Sequence, residues 1–381
     1  MKVAFFSSTG SMVGGAVMCL KEILLHCMAQ GTECFVILES HGNFEDFLKT
    51  HGIRYAVVRC YDWLRPLSKH GGLKNDIRWA VKAVMNGIAE QQAYHILKKE
   101  KPDVYHLNVL YNPCGAKSAH KLGIPVVWHL REFAEINADT PFFHNSKQAY
   151  RLIARSERIV CVSDCLLEYY KQFLPEEKMI RVYDGIKMPN QPVQERKAGD
   201  KFRITLSGGA KVKGHTDIIE AIRMLKDKGY DNLLLQIAGK FTDEKYLEQL
   251  EALVREYSLE EQVVFLGFMD DMDKVWADTD IAVVCSRFES FGLSAVEAMA
   301  RAVPLVCAKS TGSYEITNKG EYCNIYEVSH SQELADKLQE IITQYNRYSL
   351  HAAEVAEYIR RQYCVEAACA GLVSVFLECC R

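Results

Sequence analysis

The 381-residue chain has no run of 18 apolar residues, so nothing in it reads as a membrane span. Its first residues, "MKVAFFSSTGSMVGG", read as a short strand entering a Gly-rich turn and lack the long apolar core of a signal peptide. There is no basic excess: 46 Lys and Arg stand against 49 Asp and Glu, a formal net charge of -3, which argues against a nucleic-acid partner. No low-complexity tract interrupts the globular composition. The 14 cysteines form no pair of CxxC motifs at zinc-finger spacing and sit inside apolar segments such as "RIVCVSDC" and "DIAVVCS". They are expected to be reduced, buried thiols of a cytoplasmic protein rather than a disulfide framework.

What is present is alternation. "KVAFFSS", a helical pattern ending at Gly31, and "TECFVILES" make a βαβ unit, and short Val- and Ile-rich runs recur between helical patterns thereafter. The pattern stops around "KMPNQPVQERKAGDK" (187–201), the best linker candidate, and then restarts with "FRITLSGG". The expected fold class is therefore α/β, with two doubly wound parallel-sheet domains whose carboxyl edges face a cleft. A dinucleotide is the first ligand to consider, with Glu39 imitating a ribose-binding carboxylate. However, Gly10, Gly14 and Gly15 are spaced G-x-x-x-G-G, not G-x-G-x-x-G, and no Walker A motif exists.

The second half carries stronger signals. "LSGGAKVKGHTDIIEAI" places Gly208, Gly209, Lys211, Lys213 and Gly214 in a turn between a strand and a helix, where backbone N–H groups and a lysine suit a phosphate. An ordinary βα turn with solvated lysines is the bland alternative. In "SRFESFGLSAVEAMA" (286–300) Glu289 and Glu297 lie eight positions apart around Phe291-Gly292-Leu293. Here the alternative is concrete, because Ser294-Ala-Val-Glu297 spells a capping box. "DDMDK" reads as an acidic helix start rather than a metal site, and no metal is expected.

Taken in order, "GGAVMCLKEILLHCMAQGTECFVI", "VVWHLREF", "VYDGI", "KVKGH" and "ESFGLSAVE" resemble the motifs of the retaining glycosyltransferases of family 4, which have the GT-B fold. The resemblance implies two Rossmann-like domains, an acceptor-binding one over 1–186 with 362–381 and a donor-binding one over 187–361. It implies that Glu289 binds donor-sugar hydroxyls, that Glu297 accepts from the nucleotide ribose, and that Phe291, Gly292 and Leu293 lie against the diphosphate and sugar. Lys213 would hold the diphosphate, Gly209 the turn beneath it, Phe268 the base, and Gly15 the N-terminal approach to the sugar. His129 would lie near donor sugar and acceptor; a histidine satisfied at the core's edge is its bland reading. Arg131 and Glu132 would line the acceptor pocket, and His106 would stand behind His129. Two departures bear on the donor: Gly208 stands where the family has arginine, and Asp184 replaces the usual asparagine of the junction motif.

The implied reaction moves a sugar from a UDP- or GDP-sugar to a carbohydrate or lipid-linked glycan, in surface polysaccharide or glycolipid assembly. A helix around 73–88 has Leu73, Ile77, Val81, Val84 and Ile88 on one side and Lys74, Arg78 and Lys82 on another. Such a helix suits peripheral attachment to the inner membrane face, or else its apolar side covers the sheet. A noncatalytic GT-B scaffold and a nucleotide-sugar epimerase are the rival readings.

Overall fold

A computed structural model describes residues 1–64, 73–133, 146–189, 201–269 and 271–380. Most of the linker candidate 187–201 lies outside them, as do the side chains of Leu73 and Lys74. The chain forms two compact units, Met1–Gly185 with Val365–Arg381, and Ile186–Cys364.

The strands of the first unit are β1 (Lys2–Ser7), β2 (Glu33–Leu38), β3 (Arg54–Val57), β4 (Val104–Leu107), β5 (Val126–Leu130), β6 (Arg158–Cys161) and β7 (Met179–Arg181). Those of the second are β8 (Phe202–Ser207), β9 (Leu233–Ala238), β10 (Val263–Gly267), β11 (Ile281–Val284), β12 (Leu305–Ala308) and β13 (Asn324–Tyr326). Helices of the first unit are α1 (Gly15–Ala29), α2 (Phe44–Thr50), α3 (Leu73–Glu100), α4 (Ala116–Lys121), α5 (Ser146–Ile153) and α6 (Asp164–Tyr170). The second unit contains α7 (His215–Asp227), α8 (Glu244–Glu256), α9 (Met272–Ala277), α10 (Leu293–Ala300), α11 (Thr311–Ile316), α12 (Ser331–Thr343) and α13 (Tyr345–Gln362). The chain then returns to the first unit as α14 (Val365–Cys379).

The first sheet runs β3-β2-β1-β4-β5-β6-β7 and the second β10-β9-β8-β11-β12-β13, with every pairing parallel. Parallel strands covered on both faces must be apolar throughout, which is why Val3, Ala4, Phe5 and Phe6 are all fully buried in β1. In each sheet the order reverses once, between β1 and β4 and between β8 and β11. Those reversals are where loops from neighbouring strands diverge and leave a crevice beyond the carboxyl ends.

The C-terminal helix is integral to the first core. Val365, Cys369, Leu372, Val375 and Phe376 repeat at helical spacing and pack with Leu20, Leu24 and Phe5. The long helix α3 corrects the expectation that its apolar side covers the sheet. Ile77, Val81, Val84 and Ile88 are 55%, 56%, 66% and 49% exposed, while Trp79, Ala89, Ala93 and Leu97 are the buried side chains. Lys82 is not on a free basic face either, since its ammonium lies 4.2 Å from the centre of the Trp79 ring and 5.1 Å from that of Tyr61. Among the described residues, no helix is long and apolar enough to cross a membrane.

Candidate functional site

The second sheet's reversal point places two of the sequence's candidate loops side by side. β8 and β11 are neighbours, pairing Ala282 with Thr205 and Val283 with Leu206. The 208–214 turn follows one strand, and the 285–292 loop follows the other. Gly214 is left-handed (φ 70°), and a Cβ there would meet the Cys285 carbonyl oxygen at 2.2 Å, so glycine lets the two loops touch. Lys213 then reaches across, its ammonium 2.8 Å from a carboxylate oxygen of Glu289. The pair is partly buried, with the two side chains 22% and 17% exposed.

The loop bearing Glu289 is pinned from behind by α11. The Glu289 N–H donates to the Thr311 hydroxyl (3.1 Å), which donates back to the Glu289 carbonyl, and the Gly312 N–H donates to the same carbonyl at 2.7 Å. A Cβ on Gly312 would lie 2.6 Å from the Phe291 nitrogen. Sequence reasoning missed Thr311 and Gly312; the spacing of "STGSYE" gave no sign that this turn supports the neighbouring loop. Phe291 itself is buried, its ring edge-on to Tyr363.

The capping-box reading fails. Gly292 occupies the N-cap of α10 with φ 107° and no side-chain cap bond, which puts Ser294 inside the first turn. Glu297 instead accepts from the Trp276 indole N–H at 3.2 Å, and Arg301 donates to the Glu297 carbonyl at 2.9 Å. Burial pushes the Glu297 carboxyl up, while Arg301 and the indole pull it down. Gly292 is explained by its backbone and by packing, since a Cβ would meet Ile316 Cδ1 at 2.9 Å. Leu293 opens the helix and is partly exposed.

Gly208 and Gly209 both serve the turn. Gly209 presses on the Lys240 carbonyl, where a Cβ would lie at 2.4 Å. Gly208 has φ 110°, and the stem of Lys213 runs across it, with Cε 3.0 Å from where a Cβ would sit. His215, within the quoted "KGH", supports the turn by hydrogen-bonding to the Gly208 carbonyl at 2.8 Å. Phe268 is exposed and follows β10, the edge strand two places from β8, so it does not join the Lys213–Glu289 pair. Asp271 caps α9 by accepting from the Asp273 N–H, and Asp273 pairs with Arg301, an acidic helix start.

In the first unit Gly15 is the first residue of α1, and the left-handed N-cap before it is Gly14, φ 110°. His129 is the next-to-last residue of β5 and is buried, its Nδ1 3.2 Å from His106 Nε2 and 3.4 Å from Arg131 Nη2. Arg131 forms a buried ion pair with Asp184 and donates to Asn108 Oδ1 at 3.2 Å. Burial and the Arg131 cation hold the His129 imidazole well below the usual range. Arg131 and Glu132, expected to line an acceptor pocket, are both buried instead. Glu132 accepts from the Leu110 N–H at 2.8 Å, and burial raises its carboxyl to about 7. Burial and nearby Asp62 likewise raise Glu39 to about 8, with Lys82 acting against them.

Comparison with known proteins covers both units. The family described as Glycosyltransferase Family 4 matches residues 13–188, and that described as Glycosyl transferases group 1 matches residues 188–362. The chain is 29% identical over 143 residues to the N-acetyl-alpha-D-glucosaminyl L-malate synthase of Bacillus anthracis, covering 38% of this chain and 36% of that protein. It is 30% identical over 128 residues to the mannosylfructose-phosphate synthase of Agrobacterium fabrum, covering 32% of this chain and 28% of that one. This chain thus spans about a third of the length of these curated relatives. HepE of Anabaena, solved with UDP-glucose, superposes with a TM-score of 0.76 at 21% identity, over 99% of this chain and 100% of that one. The two family matches meet at residue 188 and together run from residue 13 to residue 362, so the chain belongs to the GT-B glycosyltransferases of family 4.

Proposed function

We propose that this protein transfers a sugar, with retention of anomeric configuration, from a UDP- or GDP-sugar to a hydroxyl of a carbohydrate or lipid-linked glycan. The observation that carries the reading is the Lys213–Glu289 pair at the reversal point of the second sheet, with Glu297 on the helix that follows. Breaking the bond from sugar to diphosphate leaves positive character at the anomeric carbon and negative charge on the departing phosphate. Lys213 supplies the cation for that phosphate, and Glu289 holds the sugar hydroxyls through its two acceptor oxygens. Glu297, already accepting one N–H, has lone pairs left for a ribose diol. The departing phosphate takes the acceptor's proton, so the reaction needs no glycosidase-type carboxylate pair; Lys213 is the cation assigned to the diphosphate, and no metal is expected.

UDP is the first nucleotide to test, because similar folds were solved with UDP and with UDP-glucose. The acceptor reading draws on relatives named for O-antigen biosynthesis in Escherichia coli and for a diphospho-undecaprenol-linked sugar in Campylobacter jejuni. We place the reaction at the inner membrane face, with the exposed stripe of α3 as the peripheral contact.

A thermal-shift panel of UDP, GDP, ADP and nicotinamide dinucleotides, with and without EDTA, tests the donor site. One nucleoside diphosphate should stabilise the wild type by several degrees, whether or not EDTA is present, and should stabilise neither Lys213→Ala nor Glu297→Ala. No response to any nucleotide would favour a noncatalytic scaffold instead.

A further inference from the structure

Among the described residues, His129 contacts its neighbours through one ring nitrogen and leaves the other without a partner. An arginine can only donate, so the Arg131 Nη2 that lies 3.4 Å from His129 Nδ1 requires Nδ1 to be the acceptor. His106 approaches the same atom at 3.2 Å through its Nε2, which then also donates. A neutral imidazole carries one proton, so the proton of His129 sits on Nε2. That nitrogen is buried and has no hydrogen-bond partner among the described residues, and His129 is one of the residues lining a small cavity of the first unit, with Cys19, Glu22, Asp184 and Cys369.

The arginine in this arrangement is fixed in turn. Arg131 is 6% exposed and would be costly to bury alone; Asp184 supplies its counter-charge, and Asn108 takes its Nε–H. This accounts for aspartate at the junction position where asparagine is usual: a neutral amide would leave the guanidinium uncompensated.

We propose that Arg131 and Asp184 are positioning residues that fix His129 in the Nε2–H form, so that His129 presents a dedicated hydrogen-bond donor to a hydroxyl oxygen entering the cavity. Neither touches the reacting atoms on this view. Lowering of the imidazole's proton affinity by burial and by Arg131 acts in the same direction, since it keeps Nδ1 free of a second proton. Identification of that oxygen as one belonging to the sugar rests on the transferase reading above; the tautomer does not.

The two parts are separable by experiment. In ligand-free protein labelled with 15N-histidine, with His129 assigned through His129→Asn, ring-nitrogen shifts report which nitrogen is protonated. The expected result is an unprotonated Nδ1 and a protonated Nε2. A proton on Nδ1, or on both nitrogens at pH 7, overturns the lock whatever the protein's activity. Arg131→Lys keeps a donor and a counter-charge for Asp184 and should retain the tautomer. Arg131→Met/Asp184→Asn removes donor and charge together, and should give a tautomer mixture. Sugar transfer should fall at least tenfold in kcat in the Met/Asn protein, with KM for the sugar nucleotide little changed, and should recover in the lysine variant. Should the Met/Asn protein fail to fold, the wild-type spectrum and the lysine variant still decide the lock. A tautomer that changes without any effect on transfer keeps the lock and overturns the donor role of Nε2.

Discussion

Lys213 and Glu289 are each other's counter-ions, so a diphosphate arriving at their loops has to draw Lys213 away from Glu289. This sets an unusual sign for one substitution. Glu289→Gln keeps the shape and releases the lysine, and nucleoside diphosphate should bind about three- to tenfold more tightly, on the order of 1 kcal/mol for a partly exposed pair. Transfer should nonetheless fall by about 10², because the carboxylate that holds the sugar is gone. Titration calorimetry with UDP beside a transfer assay separates the two effects. Weaker UDP binding in the glutamine variant would mean that Glu289 orients Lys213 instead of competing for it. Both residues were singled out in the sequence, each in a short motif that follows a strand, but as separate contacts to diphosphate and sugar; that they pair with each other was not legible. Nor was the meaning of Gly208. Read as a lost arginine it is a missing charge; in the structure its φ of 110° and the lysine stem lying over it make it a site that an arginine would fit only with strain.

At the scale of elements, periodicity identified α3 but could not say which side faces inward. Two stripes repeat along it at helical spacing, and only tertiary packing chooses between them. Ala89, Ala93 and Leu97 face inward, together with Trp79; α4 lies close against the helix, and Glu90 caps it, accepting the Ser118 N–H at 2.6 Å and the Gly115 N–H at 3.0 Å. The apolar residues Ile77, Val81, Val84 and Ile88 were left to solvent. In sequence, residues 65–78 contain Arg65, Lys69, Lys74 and Arg78 against Asp76, a local positive excess in a chain of net charge -3. If the proposed membrane contact is made by this stripe, a positive excess in the same stretch of sequence should favour an anionic bilayer, where each basic residue contributes about 1 kcal/mol. Wild-type protein should float with vesicles containing anionic lipid and not with neutral ones. Ile77→Ser/Val84→Ser should lower the bound fraction about tenfold while leaving the thermal midpoint nearly unchanged, since both side chains are already exposed. A serine variant that floats as well as wild type would remove α3 from the contact. The same limit explains the capping box: Ser294 and Glu297 have the right spacing, but the left-handed Gly292 starts the helix two residues before Ser294.

The whole molecule is discontinuous in sequence, and its last helix belongs to its first unit. The alternation of strands and helices disclosed two sheets, yet a lone apolar helix at the C-terminus could pack on either from its pattern alone. α14 buries Val365, Cys369, Leu372, Val375 and Phe376 in the same core as β1 and α1, whereas the second unit has a core cluster of its own running from Phe202 to Tyr345, and buries Ala352, Val355, Ala356 and Ile359 of α13 besides. The four larger of these side chains, Val365, Leu372, Val375 and Phe376, at about 1.5–3 kcal/mol each amount to roughly 6–12 kcal/mol, comparable with the entire stability of an ordinary domain. A chain ending at Cys364 should therefore lose its first unit and keep its second. Amide hydrogen exchange read by mass spectrometry resolves the two. Peptides from β8 to β12 should stay protected, while those from β1, β4 and β5 should exchange at rates close to those of an unfolded chain. Protection throughout would show that α14 adds little to the first core. Loss throughout would show that the second unit depends on the first for its stability, despite having a core of its own.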